Sequence, residues 1–129
     1  MSYRLLLLPL LLTAALSAAA DDGKLACTAK VEEADMQVWE CAYAADDLAA
    51  AYAALRHKLD ARAAEWPPEL PAGNRIIRPD DDAFFRSVKW VSPNEVVVAE
   101  EGRGGNLRLN KATLQRENGR IAIHWLSSE

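Results

Sequence analysis

Two histidines, His57 and His124, and four serines beyond residue 20, Ser87, Ser92, Ser127 and Ser128, are the side chains best suited to acyl-transfer chemistry in this 129-residue sequence. Such chemistry needs a nucleophile, a base and an orienting acid in one place, and in hydrolase sheets the serine sits in a G-x-S-x-G elbow. None of the four serines does, and Ser127-Ser128 lies at the end of the chain. Each histidine therefore reads as an ordinary surface or half-buried residue. The carboxylates are no better organised. Glu95, Glu100 and Glu101 are close in sequence, but their spacing alone does not assemble the flanking acid pair that glycoside cleavage requires.

Asp80-Asp81-Asp82 is the densest acidic run. Calcium loops place oxygens at alternate positions around a glycine and add a distal glutamate, whereas three consecutive acids point in different directions. The run fits a solvated turn or a cap ahead of Phe84-Phe85 better than a metal site. The histidines lack zinc-motif spacing, and no cofactor motif is present. Gly102-Arg103-Gly104-Gly105 lacks the lysine and following helix of a phosphate loop and reads as a turn. These gaps point away from an enzyme.

One charge pattern stands out. From Arg103 to Arg120 there are five bases, Arg103, Arg108, Lys111, Arg116 and Arg120, against the single acid Glu117. Residues 21–54 carry eight acids and two bases. Such a molecule has two electrostatic ends, which either pair internally or steer docking on a charged partner. Together with Asp80, Asp81 and Asp82, the five bases are the candidate partner-binding residues. With a formal charge of −4 overall, the chain lacks the net basic surface of a nucleic-acid binder.

The elements that would position these residues begin with an address. Met1-Ser2-Tyr3-Arg4 is a basic start, Leu5 to Leu16 is apolar apart from Thr13, and Ala18-Ala19-Ala20 supplies small residues for cleavage. This is the order of a secretory signal. The uncharged run from Leu5 to Ala20 is 16 residues, short of the roughly 18–20 needed to span a bilayer. Residues 1–20 are expected to be a cleaved signal peptide and 21–129 a single domain, periplasmic or secreted, with no stable membrane insertion. Lys24 and the polar stretch before it argue against lipidation at Cys27.

Export makes the two cysteines informative, since the exported compartment permits disulfides. Lys24 to Val31 and Gln37 to Tyr43 read as two strands. Folding them about Ala34 sets Cys27 opposite Cys41, with Ala29 opposite Trp39 and Leu25 opposite Tyr43, all on one face. Opposed cysteines in a hairpin are within disulfide reach, so Cys27–Cys41 is expected as a structural staple.

Asp46-Asp47 can cap a helix, after which Leu48, Tyr52, Leu55, Leu59, Ala63 and Trp66 recur at spacings of three and four until Pro67-Pro68 stops it. Residues 67–82 read as a long irregular connection. Phe84 to Val91 and Glu95 to Glu101 read as strands, with Val96-Val97-Val98 buried on both faces. Asn118-Gly119 is a strong hairpin turn, pairing Glu117 with Arg120, Leu114 with Ile123 and Ala112 with Trp125. Leu107 and Leu109 are out of phase with Leu114, which predicts a bulge near Asn110-Lys111. Trp39, Trp66, Trp90 and Trp125 are expected in the core.

The expected architecture is α+β: a disulfide-closed hairpin, one long amphipathic helix, then a four-stranded antiparallel meander packed on that helix. The expected role is a non-enzymatic exported protein-binding module with a partner in the cell envelope, such as an inhibitor or immunity-type protein. Two alternatives remain. One is a small-ligand binding or hydrolytic domain with a pocket between sheet and helix, lined by His124, Thr113 or Glu100. The other is an accessory subunit of an envelope secretion assembly.

Overall fold

The computed structural model describes residues 22–77, 84–102 and 108–128. The expected signal peptide lies outside them. Seven strands run in chain order: β1 (Leu25–Glu33), β2 (Met36–Tyr43), β3 (Arg75–Ile77), β4 (Phe84–Ser92), β5 (Glu95–Gly102), β6 (Leu109–Glu117) and β7 (Arg120–Ser128). A single helix, α1 (Leu48–Leu59), follows β2 and continues as a 3-10 turn over Asp60–Ala63.

The expected architecture is overturned. There is no separate hairpin beside a four-stranded meander, but one seven-stranded antiparallel sheet in the order β1-β2-β7-β6-β5-β4-β3. β2 pairs with β7 over its whole length, from Met36 opposite Ser128 to Tyr43 opposite Ile121. That pairing satisfies the outer edge of the last strand with the inner edge of the first hairpin, so the helix packs on a continuous surface. A seventh strand comes from Arg75–Ile77, inside the segment expected to be irregular, and pairs with β4.

Local registers follow the side-chain period closely. Cys27 faces Cys41, Ala29 faces Trp39 and Leu25 faces Tyr43. A bulge between Ala29 and Val31 shifts the pairing by one, so the turn is the two-residue Ala34-Asp35 instead of a pivot on Ala34 alone. At the last hairpin Glu117 faces Arg120, Leu114 faces Ile123 and Ala112 faces Trp125. Asn118 and Gly119 take φ of 51° and 79°, as a two-residue hairpin turn of this kind requires. The bulge expected near Asn110-Lys111 is absent, because β6 and β7 pair without a shift from Leu109 to Glu117. Asn110 occupies a core position in phase with Ala112 and Leu114, and Leu109 turns to the opposite face.

The helix begins where Asp47 accepts a hydrogen bond from the Ala50 amide at 3.0 Å. It ends earlier than the proline pair implies, at Asp60, whose φ of 53° is incompatible with continuing the α-helix. Its buried stripe is nevertheless the expected one: Leu48, Tyr52, Leu55, Leu59, Ala63 and Trp66 are all buried. They pack on Val88, Val96, Val98, Ala112, Leu114, Ile121, Ile123 and Trp125 of the sheet. Val97, between two buried valines, is only half-buried, because its side of the sheet carries no second layer among the described residues.

Candidate functional site

The Cys27–Cys41 disulfide is formed, with α-carbons 4.0 Å apart. The five bases are distributed along the molecule. Arg108 precedes β6 at one end of the sheet, where its guanidinium lies 5.2 Å from the Phe84 ring. Lys111 is exposed on the face away from the helix. Arg116 lies eight residues from Arg108, about 26 Å at 3.3 Å per strand residue. There it pairs with Asp46 and donates to Asn94 Oδ1 at 3.1 Å. Arg120 is exposed at the hairpin tip opposite Glu117. Arg103, Asp80, Asp81 and Asp82 lie outside the described residues. Internal pairing thus accounts for Arg116, and the described bases form no single patch.

His57 is exposed beside Asp22. His124 is also exposed, with Nδ1 2.6 Å from Glu40 Oε1 across the β2–β7 pair. His124 and Thr113 face away from the helix. Glu100 is on the helix side, but it is only 6% exposed and accepts a hydrogen bond from Arg86 Nε at 3.0 Å. Tyr52 fills the space between helix and sheet, stacked on Trp66 and donating to the Pro67 carbonyl at 2.5 Å. Burial pushes its hydroxyl up to about 12, with Arg56 acting weakly the other way. Among the described residues no three His, Cys, Asp or Glu side chains gather as a metal site would need.

The most organised polar constellation involves residues that sequence reasoning passed over. Asn110 is 5% exposed, yet it is fully engaged: Trp125 Nε1 donates to its Oδ1 at 2.7 Å, and its Nδ2 donates to the Arg62 carbonyl at 2.6 Å. This fixes the backbone of the 3-10 turn against β6. The Arg62 guanidinium then lies in the corner between two indoles, 4.6 Å from the Trp39 ring and 5.1 Å from the Trp125 ring. Its Nε donates to the Leu59 carbonyl and its Nη1 to Gln37 Oε1 at 3.0 Å. The group borders a notch of about 190 Å³ at the end of the sheet, shared with Gln37, Arg108, Asn110, Ser127 and Asp35. One signal pointed here: alternation from Leu114 through Ala112 places Asn110 among core residues.

The second feature is the sheet face away from the helix, which no described element covers. An antiparallel sheet with one solvated face normally alternates apolar-in with polar-out. Here the outward positions include Val38, Leu126, Leu109, Val97, Ala99 and Phe85, and at the edges Met36 is 40% and Ile76 65% exposed. Lys89, Lys111, Glu40 and Glu101 are interspersed among them.

No protein-family model, curated protein or solved structure matches this chain. Function is accordingly argued from these surfaces and not from the fold. No helix among the described residues is long and apolar enough to cross a membrane.

Proposed function

We propose that the protein is an exported, disulfide-stapled module that binds another protein of the cell envelope without catalysing a reaction on it. The observation that carries this reading is the uncovered sheet face. Its outward positions carry Val38, Leu126, Leu109, Val97 and Phe85 where a solvated face would be mostly polar, and charged residues alternate with them, Lys111 standing beside Leu126, Lys89 beside Val97 and Glu101 beside Phe85. Non-obligate protein interfaces likewise mix apolar contacts with charges that meet complementary partners. Its occupant is a folded protein presenting an apolar patch with charges complementary to Lys89, Lys111, Glu40 and Glu101. The staple between β1 and β2 and the fully paired inner strands hold that face rigid, which lowers the ordering cost of association. Export rests on the basic, apolar and small-residue order of residues 1–20, and the disulfide is compatible with it.

The pocketed alternative is disfavoured by the filled contact between helix and sheet and by the outward direction of His124 and Thr113. Gel filtration of fresh envelope extract tests the proposal. The tagged wild-type protein should elute well above its monomer size, while purified wild-type protein elutes as a monomer. Val97→Asp should return the extract species to monomer size with unchanged circular dichroism. A wild-type protein that elutes as a monomer in extract would overturn the reading.

A further inference from the structure

We infer that β1 is a strand-addition site, along whose outer edge, from Leu25 to Ala29, the partner protein lays an extended segment. The inference rests on the docking reading above and names how the partner is held. The Ala44 amide donates to the Lys24 carbonyl at 3.0 Å, so these two residues form a hydrogen-bonded pair of the β1–β2 ladder. Bonded and non-bonded pairs alternate along an antiparallel ladder. Leu25–Tyr43, Cys27–Cys41 and Ala29–Trp39 are therefore non-bonded pairs, and the short 4.0 Å separation of the cysteine α-carbons matches that class. The carbonyl of Leu25 and both main-chain groups of Cys27 and Ala29 then point away from β2, where no described strand meets them.

Natural sheets guard their edges with short strands, bulges, charges and proline. The opposite edge obeys this, since β3 is three residues long. So does the far half of β1, where a bulge at Lys30 is followed by Glu32 and Glu33. Leu25-Ala26-Cys27-Thr28-Ala29 carries none of these devices. Beside it, between strand and helix, is a groove of about 260 Å³ lined by Leu25, Ala54, Asp22, His57 and Lys58. A residue opposite Leu25 on an added strand projects its side chain to the helix side, toward this groove. The space admits one aliphatic side chain against Leu25 and Ala54. The occupant is thus an extended segment recognised through its main chain, with an aliphatic residue at the groove. Ala26 and Thr28 stand beside Ala42 and Glu40 on the uncovered face, so an added strand prolongs the docking surface.

Hydrogen exchange on the purified monomer tests the edge itself: the amides of Cys27 and Ala29 should exchange near the unprotected rate, and those of Ala26 and Thr28 much more slowly. Photo-crosslinking in intact cells then uses the full chain with the reactive side chain at Thr28 on the edge strand or at Leu126 on the sheet face. Both positions should give an adduct with the same envelope protein. Ala29→Pro removes an outward donor and Ala29→Lys adds a guarding charge. Neither breaks a bond to β2, so both should melt with the wild type, and a variant that melts early leaves the other to decide. Each should lower both adducts on the order of fivefold, as for loss of one net hydrogen bond. A face adduct that both variants leave unchanged, or no adduct from position 28 alone, would overturn strand addition while the docking reading stands. No adduct from either position would overturn both. Protected Cys27 and Ala29 amides in the purified monomer, or a purified dimer that Ala29→Lys converts to monomer, would show the edge already taken and overturn the inference.

Discussion

Asn110→Ala is the sharpest probe of how the helix end is held to the sheet. Trp125 is fully buried, and its Nε1 has Asn110 Oδ1 as acceptor at 2.7 Å. Alanine leaves that N–H buried without a partner, which costs about 1–3 kcal/mol, and removes the bond to the Arg62 carbonyl, worth about 0.5–1.5 kcal/mol. The expected loss is therefore about 2–4 kcal/mol, a large part of the ~5–15 kcal/mol typical of a domain. Melting should fall by roughly 8–32 °C at ~4–8 °C per kcal/mol. Urea unfolding followed by far-ultraviolet circular dichroism measures it independently of the tryptophans. Trp125→Phe supplies the control, because it removes the donor. In that background Asn110→Ala should cost ~1–2 kcal/mol less than in the wild type, since no indole N–H remains to be orphaned. A loss below about 0.5 kcal/mol, or full additivity of the two substitutions, would refute this assignment of the buried amide.

Three further outcomes are expected. Cys27→Ala/Cys41→Ala should lose about 3 kcal/mol by urea unfolding, the chain-entropy value for a loop of this length, and reductant should lower the wild type to match. Stability should fall as pH rises from about 10 to 12: an unfolded Tyr52 gives up its proton near 10 while the folded one holds it to about 12, so the unfolded state binds fewer protons in that window. The loss should approach 2–3 kcal/mol at two pKa units, and Tyr52→Phe should flatten this part of the pH–stability curve. Arg86→Met should cost about 3–5 kcal/mol by stranding Glu100 in the core, while Arg86→Met with Glu100→Met should recover most of it. Equal instability of the single and double variants would contradict the ion-pair explanation.

Hairpin registers, the disulfide and the buried stripe of the helix could all be read from sequence because each depends on neighbours within a turn or a strand pair. Asn118-Gly119 sets its own turn, and the period of two then places Leu114 beside Ile123. The pairing of β2 with β7 has no such local determinant: it joins residues about 85 positions apart, and nothing in Gln37–Tyr43 specifies which edge it will meet. Arg75–Ile77 is too short to show a period. Asn110 conceals a core position behind a polar side chain, so the out-of-phase Leu109 reads as a bulge. Arg62 looks like a solvated helix residue because the indoles that hold it, Trp39 and Trp125, come from β2 and β7.

Site-specific photo-crosslinking in intact cells addresses the docking proposal most directly, with the photoreactive side chain placed at Leu126 on the uncovered face or at Ala53 on the outer side of the helix. A discrete adduct containing a second envelope protein is expected from position 126 and not from position 53. An adduct from position 53 alone, or no adduct from either, would contradict a docking role for the sheet face.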